Sequence, residues 1–223
     1  MTEQDTHEPR SKALRLNDPA PLFTARTTMG VRSLADYRGK WLLLFSHPAD
    51  FTPVCTSEFI ALEKAAPRFR ALGCELLGLS ADSLYAHLAW TQNIEARFGV
   101  SISFPIIEDL SLSIAEAYGM IDEAAVSTAT VRSVFFIDPE GIVRAQVHYP
   151  MNVGRSVEEL LRVLGALRAT ETGDRVAPEG WQSGQPLLKS PPTTVAEMRD
   201  RIQATSGGKD WYFMETDDEQ GRA

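Results

Sequence analysis

The chain has 223 residues, 43% of them hydrophobic and 23% charged, and a net charge of −8. That length suits one well-cored domain with an appendage and falls short of two full domains. The acidic balance argues against nucleic acid or an anionic membrane surface as a partner, and no apolar run approaches the ~20 residues of a membrane helix.

The opening residues, Met1 to Lys12, are polar and carry acids early. They resemble neither a secretory signal nor a transit peptide, and 1–13 reads as a disordered lead-in. Ala20 to Val31 predicts a hairpin or irregular stretch turning at Met29-Gly30, and Ser33 to Arg38 a short helix stopped by Gly39. The continuous apolar run Trp41 to Phe45 has the pattern of a strand covered on both faces. A helix follows, with Phe59, Leu62, Ala66 and Phe69 at helical spacing, and stops near Gly73. Cys74 to Ser80 predicts a second buried strand. Leu84 to Phe98 predicts a helix with Leu84, Leu88, Thr91 and Glu95 spaced by turns, then Phe104 to Ile107 a short strand and Leu112 to Tyr118 a short helix. Ser133 to Ile137 and Ile142 to His148 predict two strands joined by the turn-forming Asp138-Pro139-Glu140-Gly141.

Val157 to Leu167 predicts a helix, with Ser156 and Glu159 as a capping box and Val157, Leu160, Leu161, Leu164 and Leu167 as its apolar stripe. Strands alternating with helices, then a hairpin and a closing helix, describe an α/β domain over 14–169. Its mixed central sheet is flanked by helices in the order of the thioredoxin fold. Beyond it, 170–223 reads as a C-terminal extension. Thr170 to Pro192 is rich in Gly, Pro and polar residues, an extended linker or wrapping arm. Thr194 and Glu197 predict a second capping box, opening a short helix with Val195, Met198 and Ile202 on one side. Trp211-Tyr212-Phe213 need a surface to cover them, either the parent domain or a second copy in a dimer.

The chain holds two cysteines, Cys55 and Cys74. That is no disulfide framework and suits a reducing cytoplasm. Cys74 opens a buried strand and reads as structural. Cys55 stands in His47-Pro-Ala-Asp-Phe-Thr52-Pro-Val-Cys55-Thr-Ser-Glu58, just after an apolar strand and at the opening of a helix. There the unpaired N–H groups and positive dipole end of the helix favour thiolate, the form that attacks electrophiles, so Cys55 is a candidate nucleophile. The bland alternative is a packed core cysteine. His7, His87 and His148 are scattered, with no metal-ligand spacing.

Pro48-Ala-Asp-Phe-Thr52-Pro-Val-Cys55 resembles the Pro-x-x-x-Thr-x-x-Cys motif of peroxiredoxins. Leu77 to Ser83, Phe104 to Ile107, Arg132 to Asp138 and His148-Tyr149-Pro150 through Gly154-Arg155 are similar to segments of the same family, so the resemblance covers most of the chain. Ser46-His47-Pro48 and the long extension resemble the one-Cys, peroxiredoxin-six-type subgroup. The resemblance implies a thiol-dependent peroxidase in which Cys55 attacks hydrogen peroxide or an organic hydroperoxide and becomes a sulfenic acid. Thr52 would hydrogen-bond a peroxide oxygen, Pro48 would shield the thiolate from water, and Arg132 would stabilise thiolate and the charge developing in the displacement.

Each has a plainer reading. Thr52 and Pro53 suit the N-cap and first turn of a helix, and Arg132 alone would be an ordinary solvated or paired arginine. Glu58 would pair with an arginine and hold it. Arg155 matches a second arginine of the family, with a structural role as the alternative. His47 would contact the oxidised sulfur or a reductant, or be an ordinary buried histidine.

Two departures limit the resemblance. The stretch Ser206 to Met214 holds no cysteine, so an external thiol must reduce the sulfenic acid. Gly39-Lys40-Trp41 lacks the serine of the Gly-x-Ser-x-Gly motif that some relatives use for phospholipase activity, so none is expected. No metal or organic cofactor is implied. The extension suggests a homodimer or a ring of dimers. The competing function is a peroxide-sensing switch or holdase chaperone that uses the same sulfur.

Overall fold

Strand β3 (Trp41–Ser46) organises the molecule, because all six of its residues are buried and both of its edges are paired. A continuous apolar run is stable only where both faces of a sheet are covered, as here. The computed structural model describes residues 14–121, 127–204 and 210–216; the lead-in 1–13 with His7, the first part of Ser206 to Met214 and the tail beyond 216 lie outside the described residues. Two compact units divide at Val157/Glu158.

The first unit holds β1 (Thr24–Thr27), β2 (Gly30–Ser33), β3, helix α1 (Pro53–Ala71), β4 (Cys74–Ser80), α2 (Leu84–Phe98), β5 (Ile106–Glu108), α3 (Ser113–Ala117), β6 (Arg132–Ile137) and β7 (Val143–Tyr149). A 3-10 turn at Leu34–Tyr37 stands where the short helix was expected. The seven strands form one mixed sheet in the order β2-β1-β5-β4-β3-β6-β7. β3, β4 and β5 run parallel, and β6, β7 and the β1–β2 hairpin run antiparallel to their neighbours. The β6–β7 turn closes with Gly141 at φ +78, under the Arg38 guanidinium, where a Cβ would stand 2.6 Å from Nη1. This is the mixed, helix-flanked sheet of the thioredoxin fold.

The period of two along β3 divides the core. Leu42 and Leu44 join Leu77, Leu79, Phe135 and Tyr118 on one side. Phe45 points to the other, where its ring meets Phe59 of α1 at 5.5 Å and Phe104 at 5.7 Å between centroids. Gly78 of β4 leaves room for them: a Cβ there would lie 3.3 Å from both Phe45 Cζ and Phe59 Cζ. The same alternation carries His47, two residues past Phe45, beneath α1 and α2.

Helix α2 has the predicted bounds, but Leu84, Leu88, Thr91 and Glu95 are not its inward face. Its buried residues are His87, Trp90 and Ile94, while Leu88 is 45% exposed. The inward face sits one position away from the run of leucines because a histidine and a tryptophan, which apolar patterning discounts, find partners inside.

The second unit holds α4 (Val157–Ala169), β8 (Arg175–Val176), β9 (Leu187–Lys189), α5 (Val195–Ala204) and β10 (Glu215–Thr216). The segment expected to be an irregular arm supplies two strands of a three-stranded antiparallel sheet, β10-β9-β8. Leu160, Leu161 and Leu164 are the buried stripe of α4, and Trp181 is buried with its indole N–H on Gln185 O at 2.9 Å. At α5, Thr194 Oγ1 accepts the Glu197 N–H at 3.2 Å, as a capping box requires, but the Glu197 carboxylate accepts from Thr193 N at 2.8 Å, one residue further out.

Candidate active site

Past Ser46 the chain bends through 47–52 to start α1. Phe51 adopts φ +56, a left-handed conformation rare for an aromatic residue. The bend is held from both sides: Asp50 N donates to Asp82 Oδ2 at 3.0 Å, and Thr52 Oγ1 donates to Ala49 O at 2.8 Å. Thr52 occupies the N-cap position in extended conformation, and Pro53 is the first helical residue. The Thr52 side chain does not cap the helix. Its proton goes to Ala49, which leaves its oxygen lone pairs to accept. Pro48, with no N–H to satisfy, is buried in the bend.

Cys55 is thereby set in the first turn of α1, with no exposed surface. Arg132, the first residue of β6, points its Nη1 at Cys55 Sγ, 3.3 Å away, and at Glu58 Oε2, 2.7 Å away. Its Nε and Nη2 donate to Met151 O at 3.0 and 2.8 Å, so both edges of the guanidinium are tied down. Glu58 follows Cys55 by three residues and shares its helix face. It also holds Arg155 by a two-point fork, Nε to Oε1 at 2.8 Å and Nη2 to Oε2 at 2.8 Å, and accepts the Arg155 backbone N–H at 2.7 Å. Arg155 Nη1 completes the lock on Ser46 O and Ser133 O, at 2.9 and 3.0 Å.

Charge accounting gives this cluster its character. The side chains of Arg132, Glu58 and Arg155 are only 3%, 3% and 2% exposed. Two guanidiniums against one carboxylate leave one positive charge in a place water barely reaches, and buried charge needs a partner. The Cys55 sulfur is the remaining neighbour of Arg132 Nη1 and balances that charge when it is ionised. Burial works to raise the Glu58 carboxyl. The hydrogen bonds and charge of Arg155, with Arg132 beside it, outweigh burial and hold Glu58 below the ordinary carboxylate value.

Cys74 lies elsewhere. It is buried, and it pairs in register with Trp41 at the start of β3, whereas Cys55 follows the end of β3. At ~3.3 Å per residue the length of β3 separates the two thiols by roughly 17 Å, far beyond the ~4.4–6.8 Å Cα spacing of a disulfide.

His47 and His87 form a grouping that chain spacing did not reveal. His47 Nε2 lies 2.8 Å from Asp50 Oδ1, and His87 Nδ1 lies 2.7 Å from Asp50 Oδ2. The donor atoms of His47, Asp50 and His87, all buried, lie within 4.8 Å of one another, joined by the hydrogen bonds just given. Asp50 and His87 are 37 positions apart, and only the packing of α2 against the β3–α1 bend joins them. The one signal in the sequence was His87 falling in step with Trp90 and Ile94. His47 stacks on Trp90 with centroids 5.2 Å apart, and the Trp90 indole N–H donates to Thr56 Oγ1 at 3.2 Å. Burial holds His47 below the ordinary imidazole value, against the opposing pull of Asp50.

Comparison with known proteins agrees with this architecture. The AhpC/TSA family profile matches residues 16–146. "Peroxiredoxin 2" of Caldanaerobacter subterraneus subsp. tengcongensis is 45% identical over 214 residues, covering 95% of this chain and 97% of its own. A cysteine-to-serine mutant of the peroxiredoxin 6 of Arenicola marina superposes with a TM-score of 0.81 at 30% identity, over 93% of this chain and all of that one. A yeast mitochondrial 1-Cys peroxiredoxin, whose structure addresses thiol resolution by glutathione and thioredoxin systems, has a TM-score of 0.79 at 36% identity, over 91% of this chain and 100% of its own. With a cysteine at the opening of a helix, an arginine fixed on its sulfur and this match along nearly the whole length, the chain belongs to the AhpC/TSA family and is a peroxiredoxin, a thiol peroxidase.

Proposed function

We propose that this peroxiredoxin works by a one-Cys mechanism on hydrogen peroxide and small organic hydroperoxides, with Cys55 as the sole redox-active thiol. The observation that carries the reading is Arg132 Nη1 at 3.3 Å from Cys55 Sγ, with Cys74 at the far end of the β3–β4 pair. The Cys55 thiolate attacks the terminal peroxide oxygen; an S–O bond forms and the O–O bond breaks. The departing oxygen takes up the proton the thiol gave, leaving water or an alcohol and Cys55 sulfenic acid. Arg132 stabilises the charge that moves from sulfur to oxygen, Thr52 accepts from a peroxide O–H, Pro48 keeps bulk water off, and Glu58 with Arg155 holds Arg132 in place.

One external thiol displaces water from the sulfenic acid to give a mixed disulfide. A second restores Cys55 and leaves as the oxidised disulfide. A glutathione or thioredoxin system is the class of reductant we infer, from the structural neighbour that uses them. A reducing, cytoplasmic setting suits two buried cysteines that are not joined in a disulfide. Assembly as at least a homodimer would cover Val195, Ile202 and Tyr212, each more than half exposed in the single chain.

Peroxide consumption by wild type, Cys55→Ser and Cys74→Ser with excess dithiothreitol tests the mechanism. Multiple turnover lost only in Cys55→Ser is the expected result. Loss in Cys74→Ser as well would overturn the one-Cys reading. Consumption of a single equivalent by wild type would favour the peroxide-sensing switch.

A further inference from the structure

The loop from Pro150 to Arg155 lies against the reactive end of α1, and its main chain holds both groups that support the sulfur. Arg132 gives two donors, Nε and Nη2, to a single loop atom, the Met151 carbonyl oxygen. At the other end of the loop the Arg155 backbone N–H donates to Glu58 Oε1 at 2.7 Å. Between these points Val153 N donates to Pro150 O at 3.1 Å, which closes the loop on itself. Met151, Asn152, Val153 and Gly154 are exposed in the single chain, so no packed core sets how closely the loop approaches α1.

The approach is set by Gly154 and Val54. A Cβ built on Gly154 would stand 3.3 Å from Val54 Cγ1, with Glu58 Cγ next at 3.9 Å. Carbon atoms rest at about 3.5–4.0 Å from one another, so the loop has closed until a side chain no longer fits. Gly154 does not have a positive φ, so space and not backbone conformation calls for glycine here. Val54 does not readily turn aside. It is β-branched and stands in the first turn of a helix, where one χ1 rotamer dominates. It is also the residue bonded to Cys55.

We propose that Gly154 is a positioning residue for peroxide reduction: by letting the loop close onto Val54, it sets how far Arg132 reaches toward the Cys55 sulfur. The proposal rests on the peroxidase reading above and adds to it a residue with no functional group. Gly154 acts through the backbone of its own loop. A side chain there lifts the loop by a few tenths of an ångström and carries Met151 O with it. Arg132 follows, because two of its donors are on that one oxygen. Its Nη1, now 3.3 Å from Cys55 Sγ, withdraws from the thiolate and from the charge that develops on the departing oxygen.

Gly154→Ala, alone and combined with Val54→Ala, tests this. The new methyl of the single variant meets only Val54 closely, at a surface position, so the fold is expected to hold. Stopped-flow oxidation of Cys55 by hydrogen peroxide is expected to slow about tenfold, less than the ~100-fold that a misplacement of ~1 Å costs. The pH midpoint of the Cys55 thiolate absorbance is expected to move up, which a purely structural role for the glycine would not cause. In the double variant the lost Val54 methyls make room for the new one. Its rate is expected within about threefold of wild type, with the midpoint restored. A single variant within about twofold of wild type, or a slow one with an unmoved midpoint, overturns the proposal. So does a double variant as slow as the single, because the effect then does not pass through Val54. If Gly154→Ala does not fold, the double variant decides by its own rate and midpoint. If wild type does not oxidise Cys55 with peroxide, the peroxidase reading fails, while the three thiolate midpoints still show whether Gly154 sets the reach of Arg132.

Discussion

Arg132 Nη1 stands 3.3 Å from Cys55 Sγ while the rest of its guanidinium is committed to Glu58 and Met151. A donor held this firmly is in place before charge develops, and the reaction does not have to reorganise it. Lysine keeps the charge but has no planar fork to reach sulfur, carboxylate and carbonyl together. Arg132→Lys is expected to slow Cys55 oxidation by about 100-fold or more, measured by stopped-flow with hydrogen peroxide. A loss under about threefold would mean that charge alone suffices.

Glu58 is the common anchor of two buried guanidiniums. Glu58→Gln leaves both without a carboxylate, and breaking a buried ion pair from one side costs about 3–5 kcal/mol. Urea denaturation is expected to show a loss of that order together with slower peroxide reduction. Unchanged stability would show that water or another group replaces the carboxylate at little cost.

Thr52 separates chemistry from helix capping, because its hydroxyl bonds Ala49 O instead of capping α1. Thr52→Ser is expected to retain activity. Thr52→Val, similar in shape and without the hydroxyl, is expected to lose about 10- to 100-fold in rate and only ~1 kcal/mol in stability. Equal rates in the two variants would remove the hydroxyl from the reaction.

Stability is expected to fall with acid in two stages. His47 is held below its ordinary value of 6.5, so the folded state resists a proton that the unfolded chain accepts. The contribution is complete above that value and is lost as pH falls below it. Glu58 and Asp50 are also held low, from ordinary values of 4.5 and 3.8, so their contributions are present above those values and lost as pH falls further. Urea midpoints at pH 7.5, 5.5 and 4 should decline in that order. A flat profile from 7.5 to 4 would contradict both shifts.

Much of the sheet was legible in the chain. Trp41 to Phe45 and Cys74 to Ser80 are apolar runs bounded by Gly39, Gly73 and polar segments, and both became buried parallel strands. The long helices were legible where leucine, phenylalanine and alanine carried the period, as in α1 and α4. The bounds of α2 were legible too, but its inward face, His87, Trp90 and Ile94, was not. The small sheet of the extension was missed because strands of two or three residues leave no measurable alternation.

What the sequence determined by itself is local. A cysteine following Thr52 and Pro53 after a buried strand has to open a helix, and that placement marks it as the candidate nucleophile whatever the rest of the chain does. What only the tertiary structure decided is long-range. Arg132 reaches Cys55 across 77 positions, Arg155 reaches Glu58 across 97, and His87 reaches Asp50 across 37. Buried ionisable groups must each find a partner, and which one they find depends on sheet order and helix packing. Spacing along the chain records neither.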